Sequence, residues 1–272
     1  MIPVEKQQAL RAQYNPDGSP LRTGQLRMVE MLVFLDCICQ EHGLTYWLDS
    51  GTLLGAKRHG GFIPWDDDTD VCMPIRDVRK LARIMSKEHP SDEFVIQCRR
   101  TDKGYYGAWY VLRDLRSEYE QESLLHQRRE YRGVQVDIFP MENGAVPCLH
   151  RLAERWQRCW VDHPMDRIRS GFLARCVVVP SYYILHGLVI PLFRLFGRRK
   201  DRFSPVYGVL YSWTNMPKAW VLPLGRASFE GHEFAVPGNA EAYLKESYGD
   251  WEALPETIRT HQVKIHFKAE KE

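Results

Sequence analysis

The sequence has no excess of charge of either sign, no C-x-x-C pair and no regular cysteine spacing. Its 37 basic and 35 acidic side chains give a formal net charge of +2, which argues against a dedicated nucleic-acid-binding protein, because such proteins carry a strongly basic face. The seven cysteines form no even framework, so we expect a reducing compartment. The first 20 residues are polar and contain no apolar core of a signal peptide, and we therefore expect a cytoplasmic protein.

Repeats and low-complexity tracts are also missing. Hydrophobic residues make up 44% of the chain and charged residues 26%, values that exclude disorder, collagen and coiled coil. At 272 residues, the chain is long for one domain and short for two. These properties indicate an ordinary globular protein with a sizeable core.

Patterns typical of helices and strands alternate through residue 140, which predicts an α/β (α+β) fold with a mixed sheet and flanking helices. Helices are predicted at 23–42 and after Pro74, and near the C-terminus at 240–248. Residues 149–200 are helical, aromatic and rich in arginine. We predict strands at 44–49, 68–73, 94–98, 108–112 and 133–139. The predicted organisation is an N-terminal arm (1–22), a catalytic core (23–140), a helical insertion (141–220) and a C-terminal segment that completes the core (221–272).

Four carboxylates occur within five positions, in the run Asp66-Asp67-Asp68-Thr69-Asp70. A solvated acidic turn is the plain interpretation. The flanking segments are apolar, however, so the cluster is anchored beside the core. If residues 68–73 form a strand, Asp68 and Asp70 share one face. Two convergent carboxylates suit a hard divalent cation that also holds phosphate oxygens.

A turn of small residues, Ser50-Gly51-Thr52, lies upstream between a predicted strand and a short helix. Backbone N–H groups and the helix dipole can hold an anion at such a position. Lys57 and Arg58 follow within two turns. The turn is weak evidence alone and stronger when it is coupled to the acidic cluster.

A further carboxylate, Asp137, lies within the apolar segment 134–139. On a strand, it shares a face with Gln135 and Phe139. An aspartate in such a strand is costly unless it is paired, bound to a metal or used in chemistry. Alternatively, Asp137 has a structural role as the ion-pair partner of one of the many arginines.

Together, these elements follow the pattern of the nucleotidyltransferase fold, and one branch matches closely. The run LDSGTLLGAKRHGGFIPWDDDTDV (48–71) resembles the signature of the LicD-type phosphocholine transferases, whose eukaryotic relatives include fukutin and fukutin-related protein. The later VDIFP around Asp137 resembles the third acidic element of the family. The resemblance extends over about residues 24–140 and 225–265, with C-terminal matches at Phe229-Glu230-Gly231, Val236-Pro237, Tyr243-Leu244, Tyr248-Gly249-Asp250-Trp251 and Leu254-Pro255.

The resemblance implies transfer of a phospho-alcohol from a CDP-linked donor, such as CDP-choline or CDP-ribitol, to a hydroxyl of a glycan, with release of CMP. It also implies a Mg²⁺ cofactor, with Mn²⁺ as an alternative. By position, Asp68 and Asp70 are the metal-binding pair, Asp66 completes the set, and Asp137 is a metal ligand or the general base. The remaining matches are Gly51 and Thr52 in the phosphate-facing turn and Arg58, with Lys57, as the basic residue.

The residues also leave a rival enzyme class open, because Asp68-Thr69-Asp70 is the D-x-D motif of many metal-dependent glycosyltransferases that use nucleotide sugars. The 40-odd residues before the cluster barely accommodate the nucleotide-binding unit of such enzymes. A non-catalytic binding module is a third hypothesis, which the complete acidic set disfavours. In the C-terminal tail, Arg259 and His261 are either phosphate contacts or exposed polar residues.

The insertion contains 18 uncharged residues, 176–193, which reach the lower limit for a membrane-spanning helix. The alternatives are buried core helices, a surface-lying element with a basic flank, and a true span, which Pro180 and Pro191 disfavour. A surface element would give peripheral membrane contact through residues 176–200, suited to a lipid-linked glycan acceptor at the inner face of the membrane. Zinc is disfavoured because the potential ligands are irregularly spaced; these are Cys148, His150, Cys159, His163 and Cys176.

Overall fold

The computed structural model describes residues 2–196, 199–209, 215–255, 257–258 and 264–268. A mixed sheet with helices packed around it confirms the predicted α/β (α+β) class. The helices are α1 (Val4–Tyr14), α2 (Pro20–His42), α3 (Ser50–His59), α4 (Ile75–Lys87), α5 (Leu124–Gln127), α6 (Pro147–Trp156), α7 (His163–Arg167), α8 (Gly171–Ile184), α9 (Ile190–Phe193), α10 (Lys218–Val221) and α11 (Ala240–Tyr248). The strands are β1 (Trp47–Leu48), β2 (Asp70–Pro74), β3 (Phe94–Gln97), β4 (Tyr110–Asp114), β5 (Ser117–Tyr119), β6 (Gln135–Gly144), β7 (Arg199–Pro205), β8 (Met216–Pro217), β9 (Gly225–Phe229), β10 (His232–Val236) and β11 (Ile265–Phe267).

The main sheet is built around the long strand β6. Its strand order is β1-β2-β6-β4-β3, and β7 pairs with the end of β6 and with β8. The β2–β6 pair is parallel, whereas β1–β2, β4–β6, β3–β4 and β6–β7 are antiparallel. Two separate ribbons, β9–β10 and β5–β11, complete the strand pairing. The first residues of β6 thus lie between β2 and β4, where chemistry-bearing side chains from both neighbours can meet.

The longest helix, α2, has clear start and stop signals. The Ser19 side chain accepts a hydrogen bond from the backbone N–H of Arg22, and Pro20 occupies the first turn. Both are features of helix N-termini, so the predicted start at Thr23 was three residues late. Gly43 ends the helix with a φ of 61°, which is the left-handed conformation that glycine adopts most easily.

The predicted N-terminal arm contains a helix, α1, and packs against the acidic region. The backbone N–H of Ile2 donates to the Arg58 carbonyl at 2.9 Å. The His59 ring nitrogen Nδ1 lies 2.6 Å from Gln7 Oε1. Farther along, the ring of Tyr14 meets that of Trp65 edge to face, with 5.4 Å between their centroids.

Two strands near the acidic cluster have different bounds in the structure from those predicted. The strand predicted over 44–49 shrinks to β1, because Leu44 N–H donates to the end of α2 and Thr45 N–H to a carboxylate on α4. The strand predicted to begin at Asp68 begins at Asp70, whose N–H donates to the Thr52 hydroxyl at 2.8 Å. Asp68 therefore lies in a loop, and the strand alternation that was expected to pair it with Asp70 does not apply.

Within the predicted insertion (141–220), residues 147–193 form the helices α6 to α9, and two stretches of π-helix (Gln157–Asp162 and Leu185–Val189) join them. The rest of the predicted insertion is not helical throughout, because β7 and β8 lie in it and β7 pairs with β6. Gly171–Phe193 runs continuously through α8 and α9 and is, by length and composition, apolar enough to cross a membrane. Only 17% of its most apolar 18-residue window is buried. Val178, Leu185 and Ile190 are buried in two small core clusters, but most of the segment is not, so residues 176–193 are only partly a buried core element.

The C-terminal segment returns to the site side of the sheet. The helix predicted at 240–248 is confirmed as α11, and the Asn239 side chain accepts a hydrogen bond from Ala242 N–H at its start. The Arg58 guanidinium donates to the carbonyls of Trp251 and Ala253. Arg259 and His261 lie outside the described residues.

Candidate active site

The pairing of β2 with β6 brings two predicted site residues together. Asp70 and Asp137 are direct neighbours in this parallel pair, and neighbours in register project to the same face of a sheet. The Trp109 indole N–H donates to Asp137 Oδ1 at 3.0 Å, and the Gln135 side chain donates to Oδ2 at 2.8 Å. The Asp137 carboxylate is thus held from both sides, and its predicted proximity to Gln135 is confirmed.

The loop before β2 supplies a second group of carboxylates. Carboxylate oxygens of Asp66, Asp67 and Asp68 lie within 4.8 Å of one another. Within the described parts of the chain, this is the only set of three histidine, cysteine or acidic side chains close enough to share a metal ion. Asp67 Oδ2 also accepts a hydrogen bond from the Tyr119 hydroxyl at 2.7 Å.

The electrostatics couple the loop to the strand pair. Burial, followed by the nearby Asp68 and Asp137 carboxylates, raises the pKa of Asp70 well above its ordinary value. Burial and the two following aspartates likewise raise the pKa of Asp66. Such shifts arise where several negative charges share a poorly solvated space. The charges of Asp66, Asp68 and Asp137 thus all act on Asp70, although Asp68 is not on the strand.

The first turn of α3 lies against this carboxylate group. A Cβ atom on Gly51 would approach Asp66 Oδ2 to 2.5 Å, so the absence of a side chain leaves room for the Asp66 carboxylate over the helix N-terminus. Thr52 is buried and accepts the Asp70 N–H. Ser50 has a φ of 49°, an unusual value for a residue other than glycine and one often found at functional sites.

The acidic loop is fixed by buried contacts from α2. The Gln25 side chain donates to the Asp66 carbonyl at 2.9 Å. Arg22 donates to Glu230 Oε2 at 2.7 Å, and the other oxygen of Glu230 accepts the Phe62 N–H at 3.0 Å. Both side chains of this ion pair are largely buried. The loop is consequently held by helix α2 and by the turn between β9 and β10.

The two predicted basic residues differ in their surroundings. Arg58 is buried, and its guanidinium is occupied by two carbonyl oxygens of the C-terminal segment and by the His59 ring. Burial lowers its pKa. Lys57 is half-buried, and we find no hydrogen bond or ion pair to it among the described residues. The structure thus gives Arg58 a role in anchoring the C-terminal segment.

Asp49 is a further acidic residue near the site that sequence reasoning missed. It is fully buried, and its Oδ1 accepts a hydrogen bond from the Tyr243 hydroxyl at 2.6 Å. Its backbone N–H donates to the Asp70 carbonyl at 3.0 Å. The only sequence signal is its position directly before the small-residue turn, where an aspartate usually caps a helix.

Two further residues interact electrostatically with the carboxylates from distant parts of the chain. Burial and the nearby Asp49 and Asp70 charges raise the pKa of Tyr248, at the end of α11. Arg129 stacks over the Tyr105 ring, 5.2 Å from its centroid. Its charge acts to lower the pKa of Asp137, which burial raises. Neither residue carries a local sequence signal, because both meet the site only through the fold.

The arrangement can hold a hard cation. Carboxylate oxygens are the ligands that Mg²⁺ and similar ions prefer, and the space beside Gly51 accommodates one of the carboxylates. A cation at this place would also neutralise the charges that raise the pKa values of Asp66 and Asp70. The residues present therefore fit a divalent metal, while the assignment of individual ligands stays a prediction.

Residues 43–173 match the family model described as LicD/FKTN/FKRP, nucleotidyltransferase domain. This range contains α3, the acidic loop, β2 and β6, so the site described above lies in a nucleotidyltransferase domain. This match confirms the resemblance to the LicD-type transferases that was found in the sequence.

Comparison with individual proteins also shows similarity to LicD-type transferases. The chain is 24% identical over 263 residues to the lipopolysaccharide cholinephosphotransferase LicD of Haemophilus influenzae, a match that covers 89% of this chain and 96% of that protein. It is 30% identical over 147 residues to the ribitol 5-phosphate transferase FKRP of human and of mouse. That match covers 53% of this chain and 25% of FKRP, so the chain spans about a quarter of the length of those relatives.

Proposed function

We propose that this protein is a Mg²⁺-dependent transferase that moves phosphocholine, or a similar phospho-alcohol, from a CDP-linked donor to a hydroxyl of a cell-surface glycan, such as lipopolysaccharide or teichoic acid. CMP is the second product. The named relatives transfer cholinephosphate and ribitol 5-phosphate, which supports a phospho-alcohol as the transferred group. We also propose that the reaction takes place in the cytoplasm, at the inner face of the membrane.

The observation that carries this proposal is the alignment of Asp70 with Asp137 on β2 and β6, directly beside the acidic loop. Phosphoryl transfer from a diphosphate requires positioning and charge neutralisation more than covalent chemistry by the protein. Carboxylates from the loop and from two adjacent strands provide a rigid frame for both tasks, because strands hold side chains more tightly than loops do.

Asp66, Asp68, Asp70 and Asp137 are the residues that would hold the metal ion. When bound, Mg²⁺ neutralises charge on the diphosphate and on the departing CMP. The structure offers Asp67 as an additional ligand, because its carboxylate belongs to the same close group.

Asp137 is our candidate for the general base. Its oxygens are fixed by Trp109 and Gln135, and burial raises its pKa, which favours acceptance of a proton from an attacking hydroxyl. The charges of Arg113 and Arg129 act to lower the pKa of Asp137, against the effect of burial, and they bring positive charge to this side of the site. Arg129 is half-buried and forms no ion pair within the described ranges, so its charge is available for a phosphate oxygen.

The proposal is tested by measuring CMP release from CDP-choline, CDP-ethanolamine, CDP-ribitol and CDP-glycerol, with Mg²⁺ and with EDTA. UDP-sugars in the same panel test the rival glycosyltransferase class. Asp70→Asn should abolish the release, whereas Asp92→Asn, the same change at an exposed position, should leave it intact. Metal-dependent release from one CDP-alcohol supports the proposal, and UDP release from a nucleotide sugar would overturn it.

A further inference from the structure

A cavity of about 450 Å³ lies between helix α4, the chain entering β4, and the helical insertion. Five arginines line it, and none of the lining residues is acidic. The arginines come from α4, from the loop after β3 and from the end of α9; they are Arg79, Arg83, Arg99, Arg100 and Arg194. The cavity is separate from the acidic site, but its wall includes Trp109, the residue that donates to Asp137.

The positive charge of this cavity is poorly compensated. Arg194 pairs with Glu142 at 2.9 Å, whereas the other four arginines form no ion pair in the part of the chain that the structure describes. Arg100 donates to the Ala82 carbonyl at 3.1 Å, and Arg99 stacks over the Tyr106 ring at 4.4 Å. Gathering guanidinium groups around one space without carboxylates is unfavourable, and an anion bound there relieves it.

The same cavity is bordered by the exposed apolar helix of the insertion. Tyr182, His186 and Ile190 line the cavity on one side of the segment Gly171–Phe193. Other side chains of the segment are exposed, and Leu195 and Phe196 continue the exposed apolar surface. The exposed members are Phe172, Leu173, Tyr183, Ile184, Leu188 and Leu192. An apolar helix surface next to a cationic pocket is complementary to an anionic amphiphile.

We propose that this arginine-lined cavity binds the phosphate headgroup of an anionic lipid, while the exposed face of Gly171–Phe193 lies in the interfacial layer of the bilayer. Phosphate oxygens accept hydrogen bonds from several guanidinium groups at once, and the acyl chains continue along the apolar helix. The headgroup phosphate of an anionic membrane phospholipid supplies this chemistry. Binding requires neither the nucleotide donor nor the reaction under "Proposed function".

Flotation with lipid vesicles tests this inference on the full-length protein, without nucleotide or metal. Vesicles of phosphatidylcholine alone are compared with vesicles that also contain phosphatidylglycerol or phosphatidic acid. We expect binding only to the anionic vesicles. Arg79→Gln/Arg83→Gln, on an exposed face of α4, should weaken this binding at least about tenfold, because both guanidinium groups lose charge-assisted hydrogen bonds to the headgroup phosphate.

The matched control is Arg151→Gln/Arg155→Gln, which removes two exposed arginines at the same spacing from α6. This control should bind almost as the wild type does, and an equal loss in both double variants would show general attraction and overturn the proposal. Leu188→Ser/Leu192→Ser should also weaken binding, and unchanged binding would contradict the role of the helix. Calorimetric titration with sodium phosphate adds a further check. A phosphate signal that the α4 double variant loses, without any change in vesicle binding, would assign the cavity to free phosphate and overturn the lipid proposal.

Discussion

The substitution Asp68→Asn should stabilise the metal-free protein while it removes the response to metal. In the acidic loop, carboxylate oxygens of Asp66, Asp67 and Asp68 lie within 4.8 Å of one another. Without a cation, these charges repel in a partly buried space. Asparagine keeps the shape of the side chain and removes one of the charges, so the fold gains free energy as the site loses a ligand.

The size of the effect follows from the spacing. At an effective dielectric constant of about 20, two unit charges about 5 Å apart repel by roughly 3–4 kcal/mol. The raised pKa of Asp66 means that part of this repulsion is already relieved by proton binding, so we expect a gain of about 1–2 kcal/mol in the free energy of unfolding. For a chain of this length, the unfolding temperature should rise by roughly 2–4 °C.

Thermal unfolding with EDTA and with a saturating concentration of MgCl₂ measures both effects, the stability of the metal-free protein and its stabilisation by Mg²⁺. The wild type should be stabilised by Mg²⁺, because a ligand that binds only the folded state shifts the equilibrium. Asp68→Asn should have a higher unfolding temperature than the wild type in EDTA, and this temperature should change little when Mg²⁺ is added. Asp92→Asn should behave as the wild type does. A lower unfolding temperature of Asp68→Asn in EDTA, or a full Mg²⁺ response, would refute the reasoning.

Three other substitutions test the contacts around the site. Glu230→Gln should cost about 2 kcal/mol at neutral pH in urea denaturation. The ion pair with Arg22 helps to lower the pKa of Glu230 below its ordinary value, so this stabilisation is present above that ordinary pKa and is lost as the pH falls below it. A difference between the variant and the wild type that is independent of pH would contradict the ion pair. Tyr243→Phe should cost about 1–3 kcal/mol in the same assay, because it leaves the buried Asp49 carboxylate without this donor, and a neutral effect would argue against that bond. Arg58→Gln should lower the unfolding temperature and expose the C-terminal segment to proteolysis, whereas loss of turnover with an unchanged unfolding temperature would restore its predicted role at the phosphate.

Local patterns predicted most of the elements but not their pairing. The alternation of apolar and polar residues predicted the strands that became β3, β4 and β6 to within a few residues, and the bounds of α11 agree. The neighbourhood of Asp70 and Asp137 was suggested by the family resemblance and by the separate strand patterns. Their direct register depends on the strand order of the sheet, which is set by tertiary packing that no short window of sequence contains.

The errors have identifiable physical causes. Asp68 was assigned to a strand because its alternation with Asp70 fits one, but side-chain hydrogen bonds hold the preceding residues in a loop. Arg58 was expected to face phosphate, yet the C-terminal segment folds back and its carbonyls occupy the guanidinium. Tyr248 and Arg129 were missed because their electrostatic effect on the carboxylates comes from elements distant in sequence.

The proposed reaction transfers the alcohol phosphate as a unit, and a labelling experiment tests this transfer. The protein is incubated with Mg²⁺, a glycolipid extract of the source cells, and CDP-alcohols labelled in the alcohol, with Asp70→Asn as the inactive control. We expect label from one CDP-alcohol to enter the glycan fraction in the same molar amount as the CMP released. Release of CMP with the label left in the free phospho-alcohol would indicate a hydrolase, and UDP release with sugar in the glycan would indicate a glycosyltransferase; either result would contradict the account.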